Sequence, residues 1–313
     1  MTPKDSRGQL LRVVGTLASL GLLAYLVSQQ GWREIWESIR RITPTRFLLA
    51  FALVFVSRLA VVGRWTSLLW LSGLRLPLWE ILRVTFAGMF ASNFLPTSVG
   101  GDIVRLAWTV RVEGDRAKYA SSIAVDRLAG LAGMAMLLPL GIAQVVSSGV
   151  LESVRKLSTV AIGAVAPSRP MRRVERTLRG VVELMGAWLS NPKALMAALG
   201  FTWIHMTLIF IAMTVLFQAL GESISFWQIA GLWSFVYFIS LFPISINSLG
   251  LMEVSAGLIY SSIGGVAVSS ALTVALLKRT VELLASLPGA ASLPGLLALR
   301  RAPLPAEAGG APE

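Results

Sequence analysis

Residues 86–107 read FAGMFASNFLPTSVGGDIVRLA, and this stretch decides the fold. It opens as an apolar segment of membrane grade and is then interrupted by Asn93, Pro96, Thr97, Ser98, Gly100, Gly101, Asp102 and Arg105. Proline lacks the amide donor and keeps the residue before it out of the α conformation, while paired glycines admit positive φ. No helix runs smoothly through such a sequence. At membrane depth, broken backbone is tolerated only where it is buried in protein or lines a wet cavity. Residues 233–257, WSFVYFISLFPISINSLGLMEVSAG, have the same character. Aligning Pro96 with Pro243 gives a shared pattern of proline, any residue, serine, a β-branched residue and two small or polar residues. An acid follows each run, Asp102 in the first and Glu253 in the second. Interrupted segments in corresponding positions of two halves point to a transporter's substrate site. The pattern therefore reads as an internal repeat, with a chance match as the alternative.

Composition agrees with that reading. Of 313 residues, 55% are hydrophobic and 14% charged, and the mean hydropathy is +0.71. This describes an all-α polytopic membrane protein, expected here to have about seven or eight membrane segments, because the apolar runs lack the alternation of barrel strands. The net charge of +12 implies basic loops facing anionic headgroups rather than nucleic acid. The absence of cysteine and the single histidine argue against disulfides, thiolate chemistry and a zinc site, so no metal or cofactor is expected.

Along the chain, residues 13–27 read as a retained first membrane helix rather than a signal peptide, since no small-x-small cleavage site follows. Trp32, Ile35, Trp36, Ile39 and Ile42 recur at helical spacing against Arg33, Glu34, Glu37, Arg40 and Arg41, which predicts an amphipathic helix in the membrane interface. With the N-terminus inside, that basic helix would lie outside, against the positive-inside trend. Residues 47–71 can span, yet they carry Arg58 and Arg64. Arg58 sits at a depth where a guanidinium needs a polar partner, whereas Arg64 either finds one or snorkels to the interface beside Trp65.

Residues 119–146 read as one membrane helix holding Asp126 and Arg127. These adjacent charges point about 100° apart, so each should pair with another segment. Residues 157–167 are only about half a span, and the basic run 169–179 marks a cytoplasmic loop over 168–193. The span 194–220 holds His205, read as a neutral histidine hydrogen-bonded within the bundle or as a proton relay. The last span, 266–287, carries Lys278, Arg279 and Glu282, with Lys278 and Glu282 placed to pair at i,i+4. From Pro288 the composition turns to Pro, Ala and Gly, and 291–313 read as a disordered tail after a membrane domain over 1–290.

The charges at depth are cationic in excess and rich in arginine. A guanidinium fork matches phosphate oxygens, and half-helix N-termini after Pro96 and Pro243 add backbone donors for the same anion. Helix cross-linking is the structural alternative. No Walker sequence, catalytic triad or metal cluster is present, so ATP-driven pumping and enzymatic activity are not expected, although Asp102 or Glu253 as a base in an embedded transferase stays open.

The motifs NFLPTSVGGDIVR, SIAVDRL and FPISINSLGLMEVSAG resemble the signature set of the flippase-like membrane-region family, which includes the membrane part of lysylphosphatidylglycerol synthase/flippase proteins. The resemblance covers about residues 10–290. It implies a polytopic inner-membrane protein that moves lipids or lipid-linked substrates between leaflets; separately, both termini are expected to be cytoplasmic. By motif position it assigns Asn93, Pro96, Gly100, Gly101, Asp102 and Arg105 to the first signature and Asp126 and Arg127 to the second. Pro243, Ser245, Asn247, Gly250 and Glu253 fall in the third. Met252 stands where the family commonly has arginine, and Ser248 where it has glycine; the region 147–167 is shortened. With Arg58, Ser98 and Arg279 added from the residue reading, these are the candidate substrate-binding residues. The expected substrate is an anionic phospholipid or a polyprenyl-phosphate lipid. The alternative is an accessory subunit that presents a lipid carrier to a partner glycosyltransferase or lipid synthetase. No aminoacyl-transferase domain follows in this sequence, so lysyl-lipid synthesis is not assigned to it.

Overall fold

Two helices of 28 residues lie side by side at the centre of the protein, and everything else is arranged around them. The computed structural model describes residues 32–95, 100–109, 116–149, 191–242 and 245–292, with isolated positions between 17 and 28. Expectations for Pro96, Ser98, Pro243, the greater part of the first helix, the segment 157–167, most of the loop 168–193 and the tail beyond 292 lie outside the described residues.

The described helices are α1 (Trp32–Arg41), α2 (Pro44–Leu71), α3 (Leu78–Ser92), α4 (Gly100–Thr109) and α5 (Arg116–Ala135). They continue with α6 (Leu138–Ser147), α7 (Pro192–Ala219), α8 (Phe226–Ser240), α9 (Leu251–Ser262) and α10 (Val268–Ser286). No strand occurs among the described residues, and the protein is an all-α polytopic membrane protein. By length and composition, α2, α7 and the Arg116–Ser147 stretch can each cross a bilayer. The membrane helix expected over 119–146 falls within the Arg116–Ser147 stretch but is interrupted at residues 136–137. Pro139, in the first turn of α6, cannot supply the amide that would continue α5.

Local sequence explains the starts and stops. Both long helices begin with proline in the first turn behind a polar cap: Thr43 accepts from the Arg46 amide and Asn191 from the Ala194 amide. Both end shortly before a glycine in the left-handed region, Gly73 at φ 86° and Gly221 at φ 83°. Each is followed by a helix of 15 residues, α3 and α8. The correspondence is strict: Pro192, Gly221 and Phe226 follow Pro44, Gly73 and Leu78 by the same 148 positions. Beyond the breaks the offset grows, Glu253 following Asp102 by 151 and Val268 following Arg116 by 152. The register of 147 obtained by matching the two prolines falls on positions outside the described residues. The halves repeat, with extra residues accommodated at the second break.

The repeats are inverted. Arg46 at the start of α2 donates to Gln218 O near the end of α7 (3.5 Å), while Asn191 at the start of α7 donates to Leu71 O (2.6 Å). Midway, His205 Nδ1 lies 3.2 Å from Ser57 O, and positions 57 and 205 are themselves equivalent by the 148-residue offset. Two antiparallel equivalent helices that touch at equivalent positions are related by a twofold axis through that contact. The exposed indoles Trp79 and Trp227, also 148 apart, follow opposite ends of this antiparallel pair, as aromatic belts at two interfaces require.

Each broken segment folds as a hairpin. In the first, Gly88 and Gly101 bring α3 and α4 so close that a Cβ on Gly88 would sit 2.8 Å from Gly101 O. In the second, Tyr260 OH on α9 donates to Ile229 O on α8 (3.0 Å), and Ser248 OH donates to Ser240 O across the break (2.6 Å). The main core lies between α7, α8, α9 and α10, around Phe210, Met213, Phe217, Leu232 and Tyr260. Leu48, Leu49, Val56, Leu59, Ile204 and Ile211 face outward from the long helices, where a bilayer would cover them. The expected amphipathic helix forms as α1 and packs on α10, with Arg40 over the exposed Trp36 ring at 5.3 Å.

Candidate functional site

Residues flanking both breaks, Asn93 and Gly101 at the first and Ser240 and Asn247 at the second, line a cavity of about 380 Å³ together with residues of α2, α3, α4, α5, α7, α8 and α10. Of the candidates drawn from sequence, Arg58, Asn93, Gly101, Asp102, Arg105, Asp126, Arg127 and Asn247 line it. Gly100, Ser245, Gly250, Glu253 and Arg279 do not. Glu253 and Arg279 were expected to line the space and Arg279 to approach Glu253 or Asp102; the pair with Glu253 forms, but neither residue is in the lining. Arg279 Nη1 donates to Glu253 Oε1 (2.5 Å) and its Nη2 to Asn247 O (3.1 Å). The pair thus holds the irregular backbone at Asn247 and Ser248, both at positive φ, and Asn247 faces the cavity in its place.

The first-half charges form one linked chain. Asp126, 1% exposed, accepts from Arg64 Nε (2.6 Å) and Arg105 Nη1 (2.8 Å). Arg105 also meets Asp102 Oδ1 at 3.3 Å, and Arg127 Nε donates to Asp102 Oδ2. Asp126 and Arg127 thus pair with other segments rather than with each other, Asp126 with α2 and α4 and Arg127 with α4 alone. Arg64 does not snorkel. It is buried, and its Nη1 also donates to Thr202 on α7 (3.3 Å). The Asp126 carboxylate on α5, in direct contact with Nε, holds the guanidinium inside the protein. Gly130 makes the space for it, since a Cβ there would meet Arg64 Nη1 at 3.2 Å.

A second group sits where α2 meets α10. Arg58 Nη2 reaches Glu282 Oε1 at 3.0 Å, and Lys278 Nζ reaches Glu282 Oε2 at 2.9 Å, forming the expected i,i+4 pair. His205 lines the same cavity. Its Nδ1 faces a carbonyl, which can only accept, so Nδ1 carries the hydrogen and the ring is hydrogen-bonded within the bundle.

Two indoles were not anticipated as site residues. Trp65 lies under the Arg105 guanidinium at 4.0 Å and donates to Ser122 OH (3.1 Å). Trp233 lies under Lys278 Nζ at 4.4 Å. A cation on an aromatic face keeps part of its electrostatic stabilisation without water. The sequence signal was the proximity of Arg64-Trp65 to mid-span, which reads equally well as an interfacial anchor. Asn93 Nδ2 donates to Met89 O, Phe90 O and Ser286 OH (3.2, 3.2 and 3.1 Å), tying the end of the first half-helix to α10.

Unused hydrogen-bonding capacity is concentrated here. Among the described residues, Arg105 Nε and Nη2 and Arg58 Nε are buried without a partner. A guanidinium in this state fits an added phosphate or carboxylate oxygen. No group of three or more acidic, histidine or cysteine side chains suited to a metal occurs among the described residues.

A family model described as the lysylphosphatidylglycerol synthase TM region matches residues 12–289. No curated protein matches the chain.

Proposed function

The chain belongs to the lysylphosphatidylglycerol synthase TM-region family, and from that membership and the cavity's charges we propose that it moves an anionic lipid between the leaflets of the cell's inner membrane. Membership ties the chain to membrane lipids. The observation that carries the finer reading is a cationic cavity at the contact between two inverted halves. Inverted repeats meeting at a central polar site are the architecture of proteins that expose one site alternately to two sides. A lipid headgroup enters the cavity while its acyl chains stay in the surrounding hydrocarbon. The arginines replace the water that the headgroup phosphate gives up. The residues are assigned binding and positioning roles and no catalytic step.

The test is leaflet exchange of fluorescent phospholipids in proteoliposomes, read by quenching from the outer face. Exchange well above empty liposomes, and slowed by Arg105→Ala, supports the reading. Rates equal to empty liposomes for anionic and zwitterionic lipids overturn it, and co-purification of a glycosyltransferase would then favour the presenting subunit.

A further inference from the structure

The charges of the cavity fall into two linked groups, each with one cation more than its carboxylates, and the groups differ in how deeply the surplus cation is buried. In the first, Arg64 and Arg105 are matched by Asp126 and Asp102. Arg127, whose side chain is 45% exposed, joins Asp102 at the solvated end. In the second, two cations from opposite halves, Arg58 on α2 and Lys278 on α10, share the single carboxylate of Glu282. Lys278 is 6% exposed and the Arg58 side chain 16%. One positive charge is therefore left over at a place where an uncompensated charge is expensive. Arg58 Nε is buried without a partner among the described residues, and Trp233 supports Lys278 from the other side.

We infer that Arg58, Lys278 and Glu282 form the headgroup subsite and that it takes a phosphate carrying one negative charge, a phosphodiester rather than a phosphomonoester or diphosphate. This rests on the lipid-moving reading for its biological sense, but the subsite itself is a binding claim. A singly charged phosphodiester brings the triad to neutrality when it enters. Its oxygens accept from Arg58 and from Lys278, and Glu282 keeps whichever cation the phosphate engages less. A zwitterionic lipid brings its own cation, which Arg58 and Lys278 repel. A doubly charged headgroup leaves the subsite negative.

The experiment uses the full chain and two readouts, lipid binding in detergent and leaflet exchange in vesicles. The probes are phosphatidylglycerol, phosphatidic acid and phosphatidylcholine, with soluble glycerophosphoglycerol and inorganic phosphate as tail-free arms. Phosphatidylglycerol should bind about tenfold more tightly than phosphatidylcholine, the scale of one charge-assisted contact. Arg58→Gln and Lys278→Gln each neutralise the triad and should abolish that preference, while Lys278→Arg should keep it. Glu282→Gln raises the surplus by one charge and should shift preference toward phosphatidic acid, a change of sign that a merely structural role would not produce. If a substituted protein fails to fold, Lys278→Arg and the wild-type lipid series still decide the matter.

Equal binding of all three lipids, or glutamine variants with unchanged preference, would overturn the inference even if exchange is fast. Selective binding without exchange would leave the subsite standing and overturn the transport reading. Tail-free phosphates binding as tightly as phosphatidylglycerol would overturn the lipid as the source of the anion.

Discussion

Asp126→Asn tests whether the cavity's charges are held out of water. The carboxylate is 1% exposed and is the common acceptor for Arg64 on α2 and Arg105 on α4, at 2.6 and 2.8 Å. Asparagine keeps one carbonyl oxygen but turns an amide donor toward a guanidinium, so at least one arginine loses its acceptor. Removing one member of a buried ionic group costs about 3–5 kcal/mol. Three contacts survive: Arg105 keeps Asp102 at 3.3 Å and the Trp65 ring at 4.0 Å, and Arg64 keeps Thr202 at 3.3 Å. The expected loss is thus at the lower end, about 3 kcal/mol. Equilibrium unfolding in mixed micelles measures it. Arg64→Met added to Asp126→Asn removes the stranded charge and should restore about 1 kcal/mol or more. A loss below about 1 kcal/mol for the single change, with no recovery in the double, would mean that bulk water solvates these groups, and the burial argument would fall.

Three further outcomes follow from the same geometry. Glu253→Gln should destabilise by about 3 kcal/mol and Asp102→Asn by less, because Arg279 is more enclosed (23% side-chain exposure) than Arg127 at 45%; paired unfolding curves decide the order. Gly88→Val should cost about 1–3 kcal/mol and slow lipid exchange, since its Cβ would press on Gly101 O at 2.8 Å and part α3 from α4 beside the cavity; wild-type exchange would contradict this. Gly73→Ala and Gly221→Ala, at φ 86° and 83°, should each cost about 1 kcal/mol and add in the double variant, as thermal denaturation can check; a neutral result at either would contradict the left-handed turn there.

Sequence by itself determined whatever depends on neighbours along the chain. Composition gave the membrane class, the proline and glycine runs marked the two interruptions, and the i,i+4 spacing paired Lys278 with Glu282. The 100° step between Asp126 and Arg127 was enough to send each to partners on other segments, because helix geometry alone fixes it. Which helices they would reach was not legible. The contacts Arg64–Asp126, Arg105–Asp126 and Arg127–Asp102 join residues 62, 21 and 25 positions apart, and no local preference encodes such a choice. Arg64 beside Trp65 fits an interfacial anchor as well as a buried partner until α5 is brought against it. The same limit explains Glu253 and Arg279, whose place behind Asn247 depends on how the second break folds. The repeat could be suspected from two short motifs, yet its true register lay in equal helix lengths and matching turns. Its inversion appeared only when α2 and α7 lay antiparallel with Ser57 against His205, because chain direction through a membrane is set by packing between segments that the sequence alone leaves unordered.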